Sequence, residues 1–436
     1  MQTNEVTLGA LERRIDLAVS LADIEKEVAA RVQRVARTVK MAGFRPGKVP
    51  LKLVEQTYGP QVRAEVLGDA VESSFRLAVQ EQKLRVAGTP NIEPKQDAAE
   101  GKMEFVASFE VFPEVVLEDL TAVEIERPAL SVGDAEIDRT IEVLRKQRTA
   151  FEKAERASQE GDRVVIDFTG RKDGEVFAGG QASDFPVVVG GGQTLPEFDA
   201  ALRGLSAGES KTFDLTFPAE YHAKELAGQA VQFEITVKAV EVPILPEVDA
   251  TFAQALGVAD GDVTKMRAEI KSNLEREIAR RIRARVRDQA LEALSKAAGF
   301  EVPKALVDGE SERMAEAAKQ DLVRRGVDAK NVPVEKAWFT EQASTRVKLG
   351  LIVADLVDKH DLQAKPEQVR ARVDEVAQTY ERPEEVVRWY YSKPENLRDV
   401  QDAVVEENVV EWVLGKAKVA ERAVSFDELM EQAPQA

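Results

Sequence analysis

The chain contains no cysteine and only two histidines among its 436 residues. Without cysteine it can form no disulfide, no thiol nucleophile and no thiolate-ligated metal site. His222 and His360 lie far apart in the sequence, so we expect neither a histidine-based metal site nor a cofactor. Any catalysis must therefore use means other than a thiol nucleophile or a metal held by cysteine or histidine.

Long apolar runs are also missing. No stretch approaches the roughly 18 consecutive apolar residues that a membrane-spanning helix requires. The N-terminus, Met-Gln-Thr-Asn-Glu-Val, has no basic segment followed by an apolar run, so we expect no secretory signal. Hydrophobic residues make up 44% of the chain and charged residues 32%, and the length allows two to four domains. We therefore expect a soluble cytoplasmic protein with neither a membrane nor DNA as partner.

Acidic residues are absent from residues 28–54, although the chain carries a net charge of −18. Valines at spacings of three and four predict an amphipathic helix here, and it leads into Gly43-Phe44-Arg45-Pro46-Gly47-Lys48-Val49-Pro50, a predicted loop. The cations of the window form a stripe beside the apolar face of the helix and continue into the loop: Arg31, Arg34, Arg37, Lys40, Arg45, Lys48 and Lys52. Such a basic tip with an exposed Phe44 indicates docking on a phosphate-rich or acidic partner, and a solvated basic helix is the alternative.

The loop resembles the ribosome-binding signature of the bacterial trigger factor family, Gly-Phe-Arg-x-Gly-Lys-x-Pro. The matching residues are Gly43, Phe44, Arg45, Gly47, Lys48 and Pro50. Pro46 stands where the family often has lysine, which removes one cation and one backbone N–H. The resemblance implies that residues 43–48 bind the large ribosomal subunit at the exit tunnel, with Arg45 and Lys48 carrying more of the contact.

Between residues 161 and 242 the hydrophobic period changes to two. Val164, Ile166 and Phe168 share one face, and the same alternation returns near residues 213–217 and 231–237. This pattern predicts half-buried antiparallel strands separated by glycine-rich turns. Residues Gly190-Gly191-Gly192 are not followed by Gly-Lys-Ser/Thr, so they predict a strand-ending turn and no nucleotide site.

The same segment resembles an FKBP-type prolyl isomerase domain. The resemblance is carried by the stretches Gly161-Asp162-Arg163-Val164, Asp167-Phe168-Thr169-Gly170, Leu195-Pro196-Glu197-Phe198 and Phe217-Pro218-Ala219-Glu220-Tyr221. It implies a shallow pocket for the substrate proline, formed by Phe168, Phe177, Phe185, Leu195, Phe198, Tyr221 and Phe233. Phe198 stands where many stand-alone relatives have tryptophan, and Ala178 replaces a common acid. From the residues alone, these aromatics could also be simply the core of a small β domain.

From about Pro246 onward the sequence predicts long, charged helices. In residues 263–297, apolar residues recur at steps of four: Met266, Ile270, Leu274, Ile278, Ile282, Val286, Ala290 and Leu294. Because four residues advance a helix by about 400°, the stripe winds by about 40° per step and suits a helix with changing neighbours. Further helices are predicted near 304–325, 335–360, 366–378, 383–391 and 395–419. Nearer the N-terminus, Gly59-Pro60 is predicted to break the helix that Pro50 opens.

The sequence therefore predicts a multidomain α+β protein. We expect an N-terminal α+β ribosome-binding domain (1–112), a linker and helix (113–148), an antiparallel β FKBP-like domain with a short helix (149–245) and an all-α chaperone domain with helical arms (246–436). The resemblance implies a ribosome-associated chaperone that binds nascent and unfolded polypeptides, assists folding and export, and isomerises X–Pro bonds. A homodimer away from the ribosome is left open.

Three other classes of protein fit the sequence less well. A free-standing isomerase would leave the basic loop unexplained. A periplasmic chaperone with an isomerase insert should begin with a signal peptide. A pure scaffold would not need the aromatic pocket.

Overall fold

The computed structural model describes residues 5–7, 9–42, 44, 49–95, 101–221, 223, 226–326 and 333–431. The chain divides into two compact units, one of residues 1–128 and 283–422 and the other of residues 129–282 and 423–436. The described strands are β1 (Glu5–Thr7), β2 (Glu12–Ser20), β3 (Val86–Pro94), β4 (Lys102–Val111), β5 (Glu124–Ala129), β6 (Ala150–Ala154), β7 (Arg163–Lys172), β8 (Glu175–Val188), β9 (Ser210–Thr216), β10 (Ala230–Ile244) and β11 (Lys418–Ala423). The described α-helices are α1 (Leu21–Thr38), α2 (Leu51–Glu81), α3 (Asp134–Gln147), α4 (Pro196–Leu202), α5 (Ala250–Ala255), α6 (Val263–Ala297), α7 (Lys304–Arg324), α8 (Thr340–His360), α9 (Pro366–Ala377), α10 (Pro383–Tyr390), α11 (Arg398–Leu414) and α12 (Phe426–Glu431).

The N-terminal residues form an antiparallel sheet with the strand order β1-β2-β4-β3. Helices α1 and α2 pack beside it, and the shared core contains Ile15, Leu17, Phe75 and Ala107. Ser20 ends β2 and caps α1, because its Oγ accepts the backbone N–H of Asp23 at 3.4 Å. The amphipathic helix that the valine spacing predicts is therefore confirmed, and it begins directly after this cap.

Helix α2 continues through Gly59 and Pro60, so the predicted break at this pair is wrong. A proline in a helix interior removes one hydrogen bond and crowds the preceding turn, at a cost of about 3 kcal/mol. Val54 and Val62 lie on either side of the pair, and both are buried in the N-terminal core. Burial of these flanking turns outweighs the local preference of the pair, which only tertiary structure reveals.

The middle residues form a five-stranded antiparallel sheet with the order β6-β10-β7-β8. Strand β9 pairs with the first half of β10, and β6 pairs with its last five residues. Val231, Ile235 and Val237 are buried on one face, as the alternation predicts. Strand β8 ends just before the predicted glycine turn, in which Gly190 and Gly192 have φ angles of +76° and +68°.

The apolar stripe of α6 meets different neighbours along its length. Met266 and Ile270 pack with Phe252 of α5 and with α3, whereas Ile278 packs with Leu429 of α12. The winding inferred from the four-residue spacing is therefore confirmed. It follows from the mismatch between a four-residue repeat and 3.6 residues per turn.

The described C-terminal residues form helices joined by loops, and one strand among them departs from the prediction. The helix predicted to reach Val419 ends at Leu414, and β11 follows and pairs with β5. The Lys418 N–H donates to the Val123 carbonyl at 2.9 Å, so pairing with a distant strand replaces the last helical turn. The predicted α+β fold class, with an antiparallel middle and a helical C-terminal part, is otherwise confirmed. Among the described residues, no helix is long and apolar enough to cross a membrane.

Candidate functional site

A cavity of about 600 Å³ opens beside the middle sheet. Its lining includes all seven residues predicted to form a proline pocket: Phe168, Phe177, Phe185, Leu195, Phe198, Tyr221 and Phe233. Strands β7, β8 and β10 supply four of them, helix α4 supplies Phe198, and loops supply Leu195 and Tyr221. Residues far apart in the sequence therefore meet around one space. Phe217 and Leu226 also line the cavity and were missed, although Phe217 belongs to the strand alternation and to a quoted motif.

The aromatic rings form a buried floor and an open rim. Phe233 lies near the centre of the floor, with its ring centroid 5.4 Å from that of Phe198 and 6.0 Å from that of Phe168. Phe198 and Phe233 are 7% and 6% exposed, whereas Phe185 is 43% exposed. The same aromatic set is therefore both the core of the sheet and the wall of an accessible pocket.

A glycine permits this close ring arrangement. A Cβ atom on Gly170 would lie 2.7 Å from ring carbons of both Phe177 and Phe233. That distance is shorter than real carbon contacts, so any side chain at this position would push the two rings apart. The packing of these two rings therefore requires glycine at position 170, the last residue of the Asp-Phe-Thr-Gly stretch.

The cavity wall is apolar with a few neutral polar groups. Among the described residues that line it, the polar side chains are Gln193, Thr194 and Tyr221, and none carries a formal charge. Ala178 is part of the wall and places a methyl group where an acid is common. His222 lies outside the described residues, as do residues 224 and 225.

Charged groups lie immediately next to two of the pocket rings in the sequence. Asp167 precedes Phe168, and Asp184 precedes Phe185. The pKa of Asp167 is lowered, mainly because its carboxylate accepts the backbone N–H of Asp184 and also because Lys238 donates to it. The pKa of Lys238 is raised by its hydrogen bonds to Asp184 and Asp167. These three groups do not line the cavity.

Of the residues 43–48 that the resemblance assigns to ribosome binding, the structure describes only Phe44, which is 40% exposed. Gly43, Arg45, Pro46, Gly47 and Lys48 lie outside the described residues. At the end of the predicted loop, Val49 is buried and Pro50 is the residue immediately before α2. The aromatic side chain that the sequence singles out is therefore accessible.

The basic stripe of α1 is shorter than the sequence indicates. Arg31 forms an ion pair with Asp69 of α2 at 2.6 Å, which raises the pKa of its guanidinium, and Arg34 pairs with Glu27 at 2.7 Å. Arg37 is exposed and has no ion-pair partner among the described residues, and the same holds for Lys40 and for Lys52 of α2. These cations, which the described residues do not neutralise, therefore lie on either side of the loop, near the end of α1 and at the start of α2.

Comparison with known proteins gives matches along nearly the whole chain. Three family models match. The model of the bacterial trigger factor protein matches residues 1–144, and the model of the trigger factor C-terminus matches residues 262–415. The model of the FKBP-type peptidyl-prolyl cis-trans isomerase matches residues 154–238. The trigger factor of Aromatoleum aromaticum is 60% identical over 430 residues, which cover 99% of each chain.

A second relative agrees in name and extent. The trigger factor of an Azoarcus species is 59% identical over 433 residues, again covering 99% of each chain. A solved structure of the trigger factor chaperone aligns with 95% of this chain and 100% of its own, at 16% identity and a TM-score of 0.46. Matches at both ends also decide against a free-standing isomerase. Because relatives this similar span its whole length, the chain belongs to the bacterial trigger factor family, ribosome-associated chaperones with a prolyl isomerase domain.

Proposed function

We propose that this family member docks on the large ribosomal subunit through residues 43–50 and isomerises X–Pro bonds in the cavity floored by Phe198 and Phe233. Residues 246–436 bind unfolded client polypeptides. The observation that carries the site assignment is the open cavity with a buried aromatic floor and no charged side chain in its described lining. The proposed domain boundaries after residues 112, 148 and 245 are supported by their position just after β4, α3 and β10.

The chemistry fits a site without a nucleophile. Amide resonance sets a barrier of about 18–20 kcal/mol to rotation about the peptide bond. When an X–Pro bond twists, it loses this resonance and becomes less polar. An apolar cavity disfavours the polar planar ground state more than the twisted state. The cavity therefore binds the transition state more tightly than the ground state, which lowers the barrier to rotation. The uncatalysed reaction takes tens to hundreds of seconds, so acceleration matters for folding.

The lining residues have different roles in substrate binding according to their depth in the cavity. Phe198 and Phe233 form the floor and would contact the proline ring. Phe185 and Tyr221 lie at less buried positions of the wall and would contact the residues that flank the proline. Water is displaced from the floor when the ring binds, which strengthens the preference for the less polar twisted amide.

The proposed docking site combines an aromatic ring with free cations. Phe44 is accessible, and Arg37, Lys40 and Lys52 are not neutralised by the described residues. Ribosomal RNA presents phosphates, and contacts of lysine and arginine with phosphates release counterions. We infer from this a cytoplasmic location, partly on the ribosome. We further propose that the chain can form a homodimer away from the ribosome and that neither a membrane nor DNA is a partner.

The proposed client-holding surface consists of exposed aromatic side chains on the C-terminal helices. Trp338 and Trp389 are 60% and 58% exposed, and Tyr391 is also exposed. Large apolar side chains on a surface are typical of interaction sites. The chain has only six methionines, so adaptable contacts would come from such rings and from aliphatic residues. Weak, dispersed contacts permit the fast release that work at a ribosome requires.

Replacing Trp338, Trp389 and Tyr391 together by serine in the full chain should impair the holding activity. We expect that suppression of aggregation requires about five times more of the variant, because the summed loss of three weak contacts, about 1 kcal/mol in total, lowers affinity about fivefold. The measurement is light scattering from a diluted, denatured client protein that has no limiting proline. The control is Phe185→Ala, which alters the cavity rim and should protect as the wild type does. Full protection by the triple variant would show that these side chains are not the client surface.

A further inference from the structure

Two irregularities of the sheet lie beside the middle of β7, one opposite Asp167 and the other opposite Ile166 and Val165. Ile166 pairs with Phe185 of β8 and Phe168 pairs with Ala182, so two residues of β8 oppose Asp167. On the other side, Val237 and Ala239 of β10 pair with the consecutive residues 166 and 165, so Lys238 is an extra residue. These are β-bulges, which bend a strand and redirect the neighbouring side chains.

The bulge in β8 is held by an ion pair and a backbone hydrogen bond. Asp184 has a φ angle of +53°, a conformation that costs energy for residues other than glycine. Its backbone N–H donates to Oδ1 of Asp167 at 2.9 Å. Lys238 Nζ lies 2.7 Å from Oδ1 of Asp184 and 3.1 Å from Oδ1 of Asp167. We call Asp167, Asp184 and Lys238 the bulge clamp.

The bulge clamp is connected through the backbone to two rings of the cavity. Phe168 follows Asp167 and Phe185 follows Asp184, and the two rings meet edge to face with centroids 5.6 Å apart. Phe185 is at the exposed rim, so packing around its side chain restrains it less than packing restrains the floor. The position of its ring therefore depends on the conformation of the β8 backbone.

We propose that Lys238 is a positioning residue for the isomerase site: by joining Asp167 to Asp184 it holds the β8 bulge, and thereby places Phe185 against Phe168. The inference rests on the proposed function of the cavity. None of the three clamp residues lines the cavity, so the clamp acts on the substrate through the adjoining rings, chiefly through the less restrained Phe185. Since Lys238 and Asp184 are exposed, salt weakens the attraction, and the positioning effect should decrease at high ionic strength.

The test compares Lys238→Met with Lys238→Arg in the full chain. The substrate is a short blocked peptide with leucine before proline, and kcat and KM are measured at low and high salt. A matched control is Arg171→Met, which removes an exposed cation that pairs with Glu234 across β7 and β10 at 3.4 Å and does not line the cavity. Thermal unfolding of each variant is recorded alongside.

We expect Lys238→Met to lower kcat/KM about fivefold at low salt, the size of effect that two exposed ion pairs support. The loss should appear mainly in KM, because the floor of the cavity is intact. High salt should reduce wild-type activity toward that of the Met variant and leave the Met variant unchanged. Lys238→Arg should restore most of the activity, and Arg171→Met should match the wild type.

Two results would overturn the positioning role. One is equal activity of Lys238→Met and Arg171→Met, and the other is an equal loss in the Met and Arg variants, which would indicate packing of the aliphatic stem. If Lys238→Met does not fold, Asp184→Asn replaces it in the test, since asparagine tolerates positive φ and removes the charge. An unchanged KM in this variant would reject the positioning role of the clamp. An inactive wild-type chain would refute the proposed isomerase site itself, and with it the clamp.

Discussion

The double substitution Phe44→Ala, Arg45→Ala should abolish co-sedimentation of the chain with the large ribosomal subunit. It removes an accessible aromatic ring and a cation from the proposed docking loop. Rings and arginines that are buried at an interface are typical hot spots, so we expect binding to weaken at least about a hundredfold. Wild-type binding should also weaken with added salt, because part of it is charge pairing with phosphates. The measurement is pelleting of ribosomes with each chain at several salt concentrations.

A matched control for this experiment is available on α2. The pair Arg76→Ala, Leu77→Ala also removes one exposed cation and one exposed apolar side chain, but far along the chain from residues 43–50. We expect this variant to bind ribosomes as the wild type does. Retained binding by the Phe44, Arg45 variant, or an equal loss in the control, would reject the loop as the docking site.

The second large effect concerns the cavity rim. Phe185→Ala should lower kcat/KM for a proline peptide about tenfold, because it removes one aromatic wall of the cavity. The ring is 43% exposed, so its loss should leave thermal unfolding nearly unchanged. By contrast, Phe198→Ala or Phe233→Ala should remove most of the activity but also cost about 3–5 kcal/mol of stability, since these rings are buried. Phe185→Ala therefore tests the role of the pocket in activity without loss of the stability that the buried core provides.

The control for the rim is Val176→Ala. Val176 lies on the same strand, β8, is similarly exposed and does not line the cavity. Its replacement should change neither activity nor stability. The assay is the rate of cis/trans exchange of a short peptide with an apolar residue before proline. Full activity of Phe185→Ala would place the reaction elsewhere in the chain.

Much of the cavity could be predicted from the sequence because its residues lie in regular patterns. The period of two placed Phe168 and Phe233 on inward faces of strands, and the family resemblance selected the loop residues Leu195 and Tyr221. Leu226 was missed because it lies in a loop, where no periodicity indicates which side chains turn inward.

The features that could not be predicted depend on contacts between distant residues. The pairing of Arg31 with Asp69 shortens the basic stripe, and these residues are 38 positions apart on two helices that pack together. The continuity of α2 through Pro60 depends on burial of the flanking valines. The bulge in β8 opposite Asp167 and the bulge in β10 at Lys238 are shifts in strand register, which leave the alternation on either side intact. Local patterns contain no information about such pairings.

The central claim is that the cavity isomerises X–Pro bonds by its apolar environment, without transfer of a proton. The pH dependence of kcat/KM for the full chain, with a blocked and uncharged proline peptide, tests it most directly. Because the described lining contains no carboxylate, imidazole or amine, the rate should be constant within about twofold between pH 5.5 and 9. A sigmoidal change with a midpoint near pH 6.5, about the ordinary pKa of histidine, would contradict the claim and indicate His222, the residue after Tyr221.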